Sequence, residues 1–291
     1  MADPDTSSDA TAPGSAAKPA AKSTDAKAGW FEESKELIKT IVYAVLIALG
    51  FRSIAYEPFN IPSESMLPGL MVGDYLFVSK YPYGYSRFSF PLGIVPIKGR
   101  ILGGDVERGD VIVFKLPSDN STDYIKRVIG LPGDVVEVRQ GTVYINGKPI
   151  KRERVEDRVI KVSPNTDCLK NIFYRVREAD GTITCRYPQF RETLPSGRSY
   201  MTLDLTPNGI RDTTRPYFVP AGHYFVMGDN RDDSADSRMS AEESGVGYLP
   251  AENIVGRAEF LFFSTNGEAH LWTPWKWYKT VRWDRLFQAV E

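Results

Sequence analysis

The run Ile41-Val42-Tyr43-Ala44-Val45-Leu46-Ile47-Ala48-Leu49-Gly50-Phe51 is uninterrupted apolar sequence, and it constrains this chain more than any other feature. Extended from Leu37 to Tyr56 it gives 20 residues, which as a helix span roughly 30 Å, the hydrocarbon thickness of a bilayer. Glu57-Pro58 then ends the span with a charge and a helix breaker. Lys39 and Arg52, near its two ends, are tolerable because long basic side chains reach the headgroup region. The alternative is a cleavable signal peptide with an 11-residue apolar core and Ser53-Ile54-Ala55 as its cleavage site. Against it, about 40 residues precede the core, far more than the charged leader of such a peptide. Residues 35–56 are therefore expected to form an uncleaved transmembrane anchor. Lys18, Lys22, Lys27, Lys35 and Lys39 lie on its N-terminal side, which keeps that side cytoplasmic and sends the large C-terminal part across the membrane. Residues 1–28, mainly Ala, Ser, Asp, Pro and Lys, cannot bury enough surface to offset their ordering entropy and read as a disordered tail.

Beyond the anchor the pattern turns to short strands. Tyr75–Val78, Val111–Phe114, Val135–Val138, Val143–Ile145, Tyr224–Met227 and Ala258–Phe263 are rich in β-branched and aromatic residues. Pro132-Gly133-Asp134 and Asn146-Gly147 supply turns between them. The expected fold is mostly β, an antiparallel β-sheet core preceded by one N-terminal transmembrane helix. Residues 151–220 are less regular and more polar, and read as an inserted, smaller β-rich domain. The mixed-sign run Lys151-Arg152-Glu153-Arg154 reads as a solvated strand face.

Composition narrows the chemistry. The net charge of -1 gives no electrostatic case for nucleic acid. Two cysteines without a C-x-x-C pair and two histidines without H-E-x-x-H argue against a metal site. Neither a Walker A loop nor G-x-G-x-x-G occurs, so no nucleotide cofactor is expected.

Three segments place reactive residue types beside strand ends: Phe59 to Pro68, Asp123 to Gly130, and Gly228 to Arg238. Taken together they resemble the bacterial type I signal peptidases, membrane proteases that use a Ser/Lys dyad. P-S-x-S-M is present at Pro62 to Met66, G-D at Gly73-Asp74, R-G-D-V-I-V-F at Arg108 to Phe114, Y-I-K-R at Tyr124 to Arg127, and G-L-P-G-D at Gly130 to Asp134. G-D-N-R-x-x-S-x-D-S-R follows at Gly228 to Arg238, all in the family's order. The resemblance covers roughly 35–150 and 220–262. It implies a catalytic core at 57–150 and 221–291, with 151–220 as an inserted cap.

By the same resemblance Ser65 is the nucleophile and Lys126 the general base. Ser63 contributes to an oxyanion hole with the Ser65 backbone N–H, and Ser234 orients the lysine amine. Arg127, Asp236 and Arg238 form a nearby ionic cluster, while Phe59, Ile61, Tyr124 and Ile125 line shallow pockets for small side chains at the -1 and -3 positions. The implied partners are signal peptides of exported preproteins and the lipid bilayer, with the secretion translocon as a further candidate. The implied location is the bacterial inner membrane, with the catalytic part on its outer side. No cofactor or metal is implied.

Elementary chemistry supports the reading. A serine hydroxyl needs a neighbouring base, and His223 and His270 are not placed convincingly for that job. A lysine serves only if desolvation brings its pKa down from about 10.4. Strand alternation lets Lys126 point inward, opposite to Ile125 and Arg127. Glu64 replaces the glycine of many relatives, and on extended chain it would point away from the site that Ser63 and Ser65 share. Cys168 and Cys185 could form a disulfide outside the cytoplasm. Trp272, Trp275, Trp277 and Trp283 read either as core packing or as an interfacial belt. Two competitors share features: a tethered β-domain that binds exported segments without cutting them, and the self-cleaving SOS repressors. The first has no need of Ser65, Lys126 and Ser234, and the second is soluble and carries a DNA-binding motif.

Overall fold

The structure, a computed structural model, describes residues 23–90, 95–168, 172–269 and 273–291. The chain divides into two compact units, one ending at Leu49 and the other running from Gly50 to Glu291.

Helix α1 runs from Ser23 to Ile54. It begins inside the stretch expected as a tail, where Asp25-Ala26-Lys27-Ala28 contains strong helix formers. Residues 1–22 lie outside the described part. Within α1, Glu33–Ile54 is 22 residues long and apolar enough to cross a membrane. Its large apolar side chains are exposed along their length, Ile47 by 72%.

The second unit is built on a seven-stranded antiparallel sheet. Its strands are β1 (Tyr56–Asn60), β2 (Asp74–Ser79), β3 (Val111–Lys115), β4 (Asp123–Gly130), β13 (His223–Met227), β14 (Leu249–Pro250) and β15 (Ile254–Ser264), in the order β1-β2-β15-β3-β4-β13-β14. The strand runs expected from sequence all fall within strands of the structure. In β3 and β4 alternate residues face two different cores. Val111, Val113 and Ile125 pack with Ile61, Met66, Leu70, Leu76 and Val78. Ile112, Phe114 and Val128 pack with Val226, Leu249 and Ile254. Burial of both faces explains why β3 reads as a continuous apolar run without alternation.

A second sheet joins β5 (Val135–Arg139), β6 (Thr142–Ile145), β7 (Lys148–Pro149) and β12 (Tyr217–Phe218), in the order β12-β5-β6-β7. Asn146 and Gly147, both at positive φ (51° and 77°), make the tight turn between β6 and β7. Because Tyr217 pairs with Val136, β12 belongs to this sheet although it falls in the 151–220 stretch.

The third sheet is formed by β8 (Lys151–Lys161), β9 (Arg175–Arg177), β10 (Ile183–Thr193) and β11 (Ser199–Leu203), with β10 at its centre. Most of β8 is exposed or half-buried, as its charge run requires. Cys168 and Cys185 form a disulfide whose Cα atoms lie 5.7 Å apart. Both are buried in a cluster with Ile160, Tyr187, Leu203 and, from the loop after β1, Leu67 and Met71. The loop carrying Ser65 is thus packed into the core of the inserted sheet.

Candidate active site

The loop between β1 and β2 places the two serines. Its ends are closed by hydrogen bonds from the Ile61 N–H to the Asp74 carbonyl and from the Gly73 N–H to the Ile61 carbonyl. Asp74, fully buried, accepts from the Met71 N–H (2.7 Å), from the Ser264 hydroxyl (2.6 Å) and from Arg285. Met66 and Leu67, each 1% exposed, pin the middle of the loop into two different cores. Ser65, just before them, is 7% exposed, whereas Ser63 stays at the surface with its Oγ 3.3 Å from Ser65 Oγ.

Strand β4 supplies the lysine. Lys126 is 3% exposed, and its Nζ donates to Ser65 Oγ and to the Ile125 carbonyl, both at 2.8 Å. The face of the Tyr124 ring lies 5.3 Å away. Burial brings the ammonium down to about 8, against the opposing pull of Asp236, Asp229 and Asp233. The charge of Glu64 acts on Tyr187, whose hydroxyl it helps to push up.

The segment from Gly228 to Arg238 closes the site. The Asn230 N–H donates to the Ser65 carbonyl (3.1 Å), and the Asn230 side chain donates to the Glu64 carbonyl (3.2 Å). Gly228 must be glycine for lack of space: a Cβ there would sit 2.3 Å from Ser234 Oγ and 2.6 Å from the Ser65 carbonyl oxygen.

Three expectations are modified. Ser234 is buried, and its hydroxyl acts on the Asp236 carboxylate, while the Lys126 amine is held by Ser65 and Ile125. The ionic cluster divides into two pairs. Asp236 is taken by Arg238, two residues on, with both contacts at 2.9 Å, while Arg127 forks onto Asp229 at 2.8 and 2.7 Å. Alternation along β4 is the reason: Arg127 faces away from Lys126, and Asp236 is the largest charge effect on Lys126 itself. Burial alone would raise the Asp236 carboxyl, but the Arg238 ion pair and the Gly228 N–H hold it below its usual range. Of the four pocket residues, Phe59, Ile61 and Ile125 belong to one apolar cluster, while Tyr124 packs in the other.

Asp74, Asp229 and Asn230 had no assigned role from sequence, although each stands inside a quoted motif. The signal was present in the G-D and G-D-N-R blocks. What the sequence could not supply was which arginine each carboxylate meets. His223 contacts the nearby Ala221 carbonyl (3.0 Å), and His270 and Trp272 lie outside the described residues.

A buried serine–lysine contact inside an antiparallel β-sheet unit sets a hydroxyl nucleophile beside a basic side chain, the local arrangement that a serine hydrolase needs. Residues 34–263 match the family described as signal peptidase, peptidase S26, and the chain belongs to that family. The signal peptidase I of Rickettsia typhi is 36% identical over 273 residues, covering 88% of this chain and 94% of its own. That of Rickettsia canadensis is 37% identical over 269 residues, covering 87% and 92%. A crystal structure of a signal peptidase I from Enterococcus faecalis V583 is 27% identical and covers 53% of this chain and 96% of its own, with a TM-score of 0.27. So low a score carries no argument about the fold.

Proposed function

We propose that the chain is a membrane-bound endopeptidase that removes N-terminal signal peptides from exported preproteins through a Ser65/Lys126 dyad. The observation that carries this reading is the 2.8 Å contact from Lys126 Nζ to Ser65 Oγ, made by a lysine whose pKa has fallen to about 8. In the neutral form the amine takes the Ser65 proton as Oγ attacks the scissile carbonyl carbon. The proton then passes to the leaving amine, and the peptide acyl group stays on Ser65. Water, deprotonated by the same lysine, releases it. Ser63 Oγ and the Ser65 N–H would stabilise the oxyanion, and Ser234 would take up the amine when a small side-chain rotation brings the two within reach.

Phe59, Ile61 and Ile125 support a shallow apolar surface next to Ser65, suited to Ala at -1 and -3. A position with the N-terminal side cytoplasmic and the catalytic unit outside the inner membrane rests on the lysine excess before the span. Trp275, Trp283, Tyr278 and Phe287, each more than 60% exposed, support contact with lipid headgroups and acyl chains. The decisive experiment is cleavage of a preprotein by detergent-solubilised enzyme. Wild type is expected to cut after Ala-x-Ala, and Ser65→Ala and Lys126→Ala are expected to be inactive while keeping their melting temperature. Cutting by either folded variant overturns the dyad.

A further inference from the structure

Glu192, on β10 of the inserted sheet, is completely buried, and the dyad chemistry does not use it. Its carboxylate takes an ion pair from Arg231, itself 4% exposed, and a hydrogen bond from the Tyr200 hydroxyl at 2.9 Å. Thr202 Oγ1 lies at 3.5 Å and Arg152 Nε at 3.9 Å on its other oxygen. A carboxylate so enclosed is costly unless it is paired, and its principal partner comes from the closing segment of the active site.

Two routes lead from it to the dyad. By the first, Arg231 Nε donates to the Gly228 carbonyl (3.2 Å), and the Arg231 N–H donates to the Leu203 carbonyl on β11 (2.9 Å). Gly228 abuts Ser234 and the Ser65 carbonyl, which also accepts from Asn230. By the second, the Arg127 guanidinium lies 4.1 Å over the Tyr200 ring while it forks onto Asp229, and Arg127 adjoins Lys126 on β4. The inserted sheet thus reaches both elements that carry the dyad, and Glu192 joins the two routes.

We infer that Glu192 is a positioning residue, which sets the Ser65–Lys126 geometry through Arg231 and Tyr200. The inference rests on the dyad reading above. A misplacement of about 1 Å at the reacting groups costs about 10²-fold in rate, so the effect belongs in kcat. Substrate contacts lie on β1 and β4 and keep KM in place.

The test uses full-length enzyme in detergent, with a preprotein substrate and Ser65→Ala as control. Folded Glu192→Gln is expected to lose about 10²-fold in kcat with KM changed by less than about twofold. The pair Glu192→Gln with Arg231→Gln removes both charges together, and so remains readable if the single variant does not fold. Its kcat is expected to stay low, because the tie to Gly228 is gone. A folded single variant with wild-type kcat, or a double variant restored to wild-type kcat, overturns the inference. Turnover by Ser65→Ala counts against the dyad alone.

Discussion

At the scale of single residues, the proposed base Lys126 sets the pH response to expect. Its pKa lies at about 8 because burial outweighs the attraction of three aspartates. The neutral, base-competent amine therefore grows as pH rises through about 8, and kcat/KM for a preprotein should rise tenfold per pH unit below that value and level off above it. A profile flat from pH 6 to 9 would exclude this lysine as the base. The sign for stability is the same. Between about 8 and 10.5 the unfolded chain holds a proton on this lysine that the folded chain has released, so its contribution favours folding as pH rises and is lost as pH falls through 8. Lys126→Arg cannot release its proton in this range and should be inactive at every pH. Ser63→Ala should lower kcat by about 10²-fold with little change in KM, since one oxyanion donor acts only in the transition state. Gly228→Ala presents a different fault, a methyl forced against Ser234 and the Ser65 carbonyl. It should reduce both activity and thermal stability.

At the scale of elements, the strands were legible because β-branched and aromatic runs ended at Gly, Pro, Asp and Asn turns. The two serines and the lysine were legible through their motifs. The pairing of charges was not. Arg127, Asp229, Asp236 and Arg238 all occur in recognisable blocks, yet which carboxylate meets which guanidinium depends on the face of β4 and on the path of the 228–238 segment. Ser234 shows the same limit, because its motif position brought it to the site without fixing its hydrogen bond. The Cys168–Cys185 link belongs to this scale too. It closes a loop with a sequence separation of 17, and removing such a link costs about 2–5 kcal/mol. Because Leu67 and Met71 pack in the same cluster, Cys168→Ser/Cys185→Ser should lower the melting temperature and also loosen the Ser65 loop. A double variant that melts earlier but retains full kcat at low temperature would show that this packing does not reach the nucleophile.

At the scale of the whole molecule, Gly50–Glu291 is one compact unit with its own sheets and cores. A protein lacking residues 1–49 should melt cooperatively and, through its exposed C-terminal aromatics, still float with anionic lipid vesicles. Failure to float would leave α1 as the sole membrane contact. A broader consequence follows from the strand order. Strand β15, late in sequence, lies between β2 and β3, and the segment that seals Ser65 begins at Gly228. As the polypeptide is made, Ser65 and Lys126 appear early but have no finished sheet to hold them. On the dyad reading proposed above, their geometry would be complete only once the chain as far as Ser264 has paired into the sheet. A protease of that design would be held inactive by the order in which its strands are made, a restraint that lies in the topology itself.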